Sequence, residues 1–373
     1  MERVVIVGAG TFGASLAWWC ARDGDDVVLV DQFQPGDVRA TSGGETRLIR
    51  CTHGADADYT RMARRARTLW RELEQESGAD LMSECGVSWF AHREAGWEAE
   101  SLRVLDELGI PVHRLSVEEA ARLFPSFDGD DLEWVLHEPE AGVLRAQKAV
   151  QTLTAQARAQ GARILNARAT PDGDRVRAGG EILEGDRVVW SCGGWLAGLF
   201  PEHVTLRVTR QELFFFDGGP AWQAAPGWVD YDRAFYGTGD LDGLGVKIAW
   251  DQEGPPLDPD ADLPGPSEHV ERISREYAAQ RFPALAEALL TGSKRCRYEI
   301  SPDSHFIAAP HPEHDRVWLV GGGSGHGFKH GPAMAERITA AWRDGAPLPP
   351  RFALGARQYA ASLRSAGSNV EPN

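Results

Sequence analysis

Cysteine is scarce and scattered. Cys20, Cys51, Cys85, Cys192 and Cys296 are odd in number and form no CxxC pair. That excludes a disulfide framework and a cysteine-based metal cluster, and it points to a reducing cytoplasm. Basic charge is also in deficit. The 39 Lys and Arg against 55 Asp and Glu give a formal net charge of −16, which repels nucleic-acid phosphates and anionic lipid. No apolar run approaches the length of a membrane span. The N-terminus lacks a basic stretch followed by an apolar one, so no secretory signal is expected. Internal repeats and low-complexity segments are missing as well. What remains is 42% hydrophobic and 25% charged over 373 residues, an ordinary globular balance with chain enough for about two domains. In so acidic a protein, an anionic substrate needs a locally basic pocket.

The clearest local signal opens the chain. Residues 3–7, Arg-Val-Val-Ile-Val, read as a buried parallel strand, and Gly8-Ala9-Gly10-Thr11-Phe12-Gly13 follows at once. Ala14 to Arg22 reads as a helix closed by Gly24, and Val27-Val28-Leu29-Val30 as a second strand ending on Asp31. Each part has a physical task. Gly8 permits the tight turn, Gly10 lets a pyrophosphate approach the backbone, and Gly13 lets helix and strand pack closely. The N–H groups at the helix start favour phosphate. Asp31 stands where a carboxylate accepts hydrogen bonds from ribose hydroxyls, and its charge disfavours a 2′-phosphate. In this strand–turn–helix–strand context the glycine motif is strong evidence for a dinucleotide site. It does not separate FAD from NAD.

Further along, helices are expected over 58–76, 117–123, 147–159, 267–281 and 332–342. Strands are expected at 164–165, 188–190, 205–216, 235–236, 245–250 and 317–320. Ser191-Cys192-Gly193-Gly194 and Gly321 to Gly327 are glycine-containing turns placed after strands. Segment 253–266 reads as a surface loop, and the tail after Ser365 as disordered. The alternation implies an α/β plus α+β fold: a Rossmann-like dinucleotide domain assembled from 1–83, 143–204 and 312–373, and a β-sheet-rich substrate domain from 84–142 and 205–311.

Four stretches resemble the monomeric sarcosine oxidase and N-methyltryptophan oxidase family of FAD-dependent amine oxidoreductases, within the D-amino acid oxidase superfamily. They are the N-terminal unit with Asp31; Thr41-Ser42-Gly43-Gly44-Glu45-Thr46-Arg47-Leu48-Ile49-Arg50; Cys296-Arg297-Tyr298 with Pro302-Asp303-Ser304-His305-Phe306-Ile307; and Ser324-Gly325-His326-Gly327-Phe328-Lys329. Their order and spacing match along nearly the whole chain. The resemblance implies FAD, oxidation of a C–N bond in a secondary amino acid, O2 as acceptor with H2O2 released, and a monomer.

It also implies roles for residues. Cys296 matches the cysteine joined through sulfur to the flavin 8α carbon, and Arg295 and Arg297 beside it favour a thiolate. Gly8, Gly10, Gly13, Asp31, Thr41, Ser42, Thr46, Arg47, Gly325, Gly327 and Lys329 match cofactor-binding positions. Arg50 and Lys329 match the pair of cations on the substrate carboxylate, and Arg47 an arginine near the flavin; by spacing alone, Arg47 and Arg50 are expected to share a helical face. Lys247 matches the lysine that promotes reaction with O2; Tyr236 and His326 match active-site residues. No metal is implied. Departures bear on the substrate. Asp251 and Gly43 stand in place of histidines, and Gly323 and His330 in place of aromatics. These changes suggest a bulkier or more cationic amine than sarcosine, in a pocket lined by Trp228 and Trp250.

Overall fold

The run at residues 3–7 forms a central strand, β1 (Arg3–Val7), buried beyond its first residue. The computed structural model describes residues 1–358; the disorder expected after Ser365 falls outside them. β1 pairs in parallel with β2 (Asp26–Asp31) on one side and with Arg187–Trp190 on the other. Arg163–Asn166 continues the sheet beyond β2, and His314–Gly321 continues it beyond Arg187–Trp190, both in parallel. Ile307–His311 closes that edge antiparallel.

The apolar run is unbroken because both faces of this sheet are covered. Val4 and Ile6 pack among helices, with α1 (Thr11–Arg22), Ala57–Ser77, Ala146–Ala159 and Gly331–Asp344 contributing to one core. Val5 and Val7 face the opposite core, against Val176, Ala178 and Leu183 of a small three-stranded sheet.

The second layer is an eight-stranded sheet. Its order runs Leu290–Ile300, Arg207–Phe216, Val246–Trp250, Phe235–Asp240, Gly227–Asp230, Val87–Ala91, Trp134–Glu138 and His113–Leu115. Both proposed pieces of the substrate domain thus contribute strands to one sheet. One boundary needs correction. Ile307–His311, placed in that domain by the sequence reading, is hydrogen-bonded into the first sheet through His314–Gly321, so the crossing lies before residue 307.

A second correction concerns Arg47 and Arg50. Thr46–Ile49 is a strand paired with Gly142–Arg145, so the two arginines do not share a helical face. Arg47 lies within that strand and Arg50 just past its end.

The turn after β1 is set by close backbone approach. Gly8 has φ +102°, and a Cβ there would meet Ser191 O at 2.3 Å. At Gly13 an added Cβ would lie 1.9 Å from Gly8 O and 2.4 Å from Ser191 Oγ. Gly13→Ala is therefore expected to destabilise the protein by about 1–3 kcal/mol or more through overpacking against backbone that has no room to yield. Gly198→Ala, where an added Cβ meets nothing within 4 Å, should move the denaturation midpoint little. Equal midpoints for the two variants would refute the close-approach account.

Candidate active site

A cavity of about 560 Å³ opens at the carboxyl ends of the parallel strands, where Val7, Asp31 and Ser191 lie, the expected place for a ligand in such a sheet. Gly8, Gly10, Asp31, Thr41, Ser42, Arg47, Gly325 and Gly327 line it. Asp31 is held in place: Oδ2 accepts from Ala9 N at 2.6 Å and Oδ1 from Phe33 N at 2.7 Å. Helix α1 begins without an acidic residue in its first turn, which leaves its positive end available to an anion. Thr11 N donates to Ser42 Oγ at 2.9 Å, tying the Thr41–Ser42 segment to that end. Arg47 donates to the carbonyls of Thr41, Gly43 and Thr46 at 3.1, 2.7 and 2.9 Å. It braces the loop that roofs the cavity. Gly43 belongs to this brace: a Cβ there would meet Asp37 O at 2.5 Å.

The far wall is the strand Leu290–Ile300, which the sequence reading did not identify. It presents Arg297, Tyr298 and Glu299 to the cavity. Glu299 was also missed. It is 6% exposed, and Gly323 N donates to its Oε1 at 3.2 Å. Two glycines make room for it: added Cβ atoms at Gly193 and Gly323 would approach its oxygens at 2.8 and 3.3 Å. Burial pushes this carboxyl up to about 7, against the pull of Gly323 N–H and the Thr41 hydroxyl. Gly323 thus leaves room for the Glu299 carboxylate.

Beyond Tyr298 lies a second group. The Tyr298 hydroxyl donates to Asp251 Oδ1 at 3.1 Å and lies 3.4 Å from the Tyr236 hydroxyl. Lys247 Nζ is 5.1 Å from the centre of the Tyr236 ring and donates to Thr46 O and Oγ1 at 3.3 Å. The chain has four lysines, Lys148, Lys247, Lys294 and Lys329, and two are deeply buried, Lys247 at 2% and Lys329 at 3% exposure. Burial, then Arg47, lowers Lys247 to about 7. Cys296 is on the same strand as Tyr298. Burial raises its thiol, while Arg47 and Lys247 pull it down more than Arg297 does. The expected help from both flanking arginines is corrected: neighbours in a strand point to the opposite face, and Arg295 donates outward to Pro264 O at 2.6 Å.

The third group holds Arg50, Lys329 and His326. Lys329 Nζ donates to His326 O at 3.0 Å. Burial and the Arg50 charge hold it well below the usual lysine range. Arg50 stacks over the Trp89 ring at 4.9 Å and donates to Thr52 O. His326 Nε2 meets Ser304 O at 3.0 Å. His53 and His330 join this group without having been singled out as site residues. His330 enters the sequence reading only as a departure near the Gly-His-Gly turn, and His53 carries no local signal. Trp228 is not in any of these groups. It is fully buried and stacks on Phe90 and Tyr277 at 6.1 and 5.4 Å, so its assignment to the substrate pocket is corrected to the core of the second sheet. Trp250 is half-buried against that same core.

The cavity, glycine turns, open helix end and ribose-ready carboxylate fit a dinucleotide cofactor. The comparisons agree. A family model described as FAD dependent oxidoreductase matches residues 3–341. Monomeric sarcosine oxidase of Bacillus sp. (strain B-0618) is 28% identical over 354 residues, covering 90% of each chain. N-methyl-L-tryptophan oxidase of Yersinia pestis (strain Pestoides F) is 25% identical, covering 93% of this chain and 96% of that one. Among solved structures, NikD, an amino acid oxidase essential for nikkomycin biosynthesis, aligns with a TM-score of 0.80 at 21% identity, over 96% of this chain and 98% of that one.

Glu299 gives a test of the cavity wall. Its folded-state value of about 7 lies above that of an unfolded glutamate. Stability should therefore fall as pH rises from about 4.5 to 7, by about 1–3 kcal/mol. Glu299→Gln, which cannot ionise, should match the wild type near pH 5 and exceed it at pH 8 in denaturant unfolding. A constant difference at both pH values would contradict a neutral buried acid.

Proposed function

The chain belongs to the FAD-dependent oxidoreductase family, and from that premise we propose an oxidase of secondary amino acids. It takes an N-methyl or cyclic amino acid, oxidises the C–N bond to an imine that water hydrolyses, and reduces O2 to H2O2. The observation that carries the reading is the burial of two lysines, Lys247 and Lys329, in a protein of net charge −16. Burying an ammonium is costly unless an anion meets it.

When bound, FAD supplies the two-electron acceptor. The dinucleotide segments from Gly8 to Asp31 and the Gly325–Gly327 turn would hold it. This chain's residues do the rest. Arg50 and Lys329 bind the substrate carboxylate and so orient the C–H beside the amine. Surrounding cations favour the neutral form of the substrate nitrogen, the form able to release a hydride equivalent. Lys247 keeps a cation where negative charge develops on oxygen. Tyr236, Tyr298 and Asp251 form a polar wall, and His326 fixes the turn that carries Lys329. Asp251 and His330 support a bulkier or more cationic amine than sarcosine. Cys296 is the proposed covalent tether to the flavin. The two-domain division, a monomeric state and a cytoplasmic location belong to the same proposal; five unpaired cysteines support the last.

The deciding experiment screens N-methylglycine, N-methyl-L-tryptophan, L-proline and L-pipecolate for peroxide release with the purified, FAD-loaded protein. No turnover with any of these N-methyl or cyclic amino acids would sink the reading.

The tether is tested by acid precipitation. Yellow should stay in the wild-type pellet and leave it in Cys296→Ala. Colour retained by the variant would place the bond elsewhere. Lys247 loses its charge as pH rises through about 7, so the O2-dependent half-reaction should slow in that direction. Lys247→Met should slow it about 100-fold at every pH, with reduction by substrate little changed. Equal slowing of both half-reactions would contradict the oxygen role.

A further inference from the structure

Glu299 lines the cofactor cavity at 6% exposure, yet the chemistry proposed above gives it no task. Its Oε1 accepts from Gly323 N at 3.2 Å. Its Oε2 is buried and has no partner in full hydrogen-bonding geometry among the described residues. That oxygen borders Gly193: a Cβ placed there would lie 2.8 Å from Oε2 and 3.4 Å from Thr41 Oγ1. Gly193 and Thr41 both belong to the phosphate-binding end. Gly193 follows Ser191-Cys192, and Ser191 O would lie 2.3 Å from a Cβ at Gly8. Thr41 precedes Ser42, whose Oγ accepts from Thr11 N at the start of α1. The carboxyl is thereby set between two segments that frame the positive end of that helix, where a diphosphate is favoured.

A carboxylate in that place would meet the diphosphate with like charge. The surrounding groups do not offset it. On its own strand, Arg297 turns Nη2 to Ala261 O at 2.8 Å, and Tyr298 donates to Asp251. Cys192 donates to Val7 O, and burial, Asp31 and Glu299 hold it as a thiol. Asp31 accepts from Ala9 N and Phe33 N. Arg47 is taken up by the carbonyls of Thr41, Gly43 and Thr46, and His326 Nε2 meets Ser304 O. Burial is the largest influence on Glu299; the Gly323 N–H opposes it, and the Thr41 hydroxyl less so. A buried carboxyl without a cation is most stable as the acid. In that form Oε1 still accepts from Gly323 N and Oε2 carries the hydrogen. Two phosphate charges arriving nearby push in the same direction.

We propose that Glu299 makes cofactor uptake proton-linked: the FAD diphosphate binds beside a carboxylic acid, and above neutral pH Glu299 takes that proton from solvent as the cofactor enters. One proton moves from buffer to the carboxyl, and no electrons move. The inference rests on membership of the FAD-dependent family and not on the substrate reading. The sign follows from the free protein, whose carboxyl titrates at about 7. Below that pH the proton is already present, so uptake is small. Above it the free protein holds a carboxylate that must be protonated on binding, so uptake grows and affinity falls as pH rises.

The test uses the full chain in its Cys296→Ala form, freed of flavin and titrated with FAD by calorimetry in two buffers of different ionisation enthalpy, which counts the protons exchanged. Uptake of about 0.1 proton at pH 6 and about 0.8 at pH 8 is expected, with Kd about tenfold weaker at pH 8. Adding Glu299→Gln should remove most of that uptake and of the pH dependence, so this variant binds FAD more tightly than its parent at pH 8 and comparably at pH 6. Glu299→Met, which also cannot ionise, gives the same reading if the glutamine form does not fold. Undiminished uptake in these variants would assign the proton to another group, such as Lys247, and overturn the proposal. No uptake by the parent at pH 8 would overturn it too. An equal loss of affinity at both pH values in Glu299→Gln would reduce Glu299 to a structural hydrogen-bond partner. Failure of the parent to bind FAD at either pH would overturn the proposal together with the cofactor reading.

Discussion

The pairing of Leu290–Ile300 with Arg207–Phe216 is the constraint on which the site depends. It runs with continuous antiparallel register from Arg207↔Ile300 to Phe215↔Gly292. One strand thereby carries Tyr298 and Glu299 along the cavity, with Cys296 next to them in the chain, at the border between the two sheets. The glycine turn from the other sheet is fastened to it. Ser324 N donates to Glu299 O at 2.9 Å, and Ser301 N donates to Ser324 Oγ at 3.2 Å. Ser324 accepts a φ of +46° to do so, an uncommon conformation for a residue with a side chain. An added Cβ at Gly325 would lie 2.9 Å from the Tyr298 ring, so turn and strand are in direct contact. Loosening this joint would separate the wall that holds Tyr298 from the turn that carries Lys329.

The contrast between legible and illegible segments follows from what each residue faces. β1, α1 and β2 could be read because two buried faces demand an apolar run, and backbone contacts at Gly8 and Gly13 forbid side chains. Both demands leave marks in a short window of sequence. Leu290–Ile300 leaves none. Thr-Gly-Ser-Lys-Arg-Cys-Arg-Tyr-Glu has no apolar alternation, since both of its faces meet polar surroundings: Lys294 reaches Glu45, Arg295 reaches Pro264 O, and Arg297, Tyr298 and Glu299 border the cavity. The resemblance named Cys296 there without disclosing the strand beneath it. Trp228 shows the opposite error. A tryptophan near a predicted cleft invites a pocket role, yet its partners Phe90 and Tyr277 come from distant segments that no local pattern brings together. His53 was missed for the same reason, because its partner His330 is 277 residues away.

Electrostatics explains why the polar groups are arranged in separate clusters. Lys247 and Lys329 each give up hydration, and neither is paired with a carboxylate in a salt bridge among the described residues. Lys247 has backbone and hydroxyl oxygens of Thr46, and Lys329 has the carbonyl of His326. Such partners stabilise an ammonium only in part, so both values fall. A carboxylate beside either lysine would restore its charge but would also occupy the place of an anionic ligand. The buried Glu138 shows how that is avoided: its oxygens accept from Cys51 N and Thr52 N at 2.7 and 3.2 Å, which ties up the carboxylate behind the clamp.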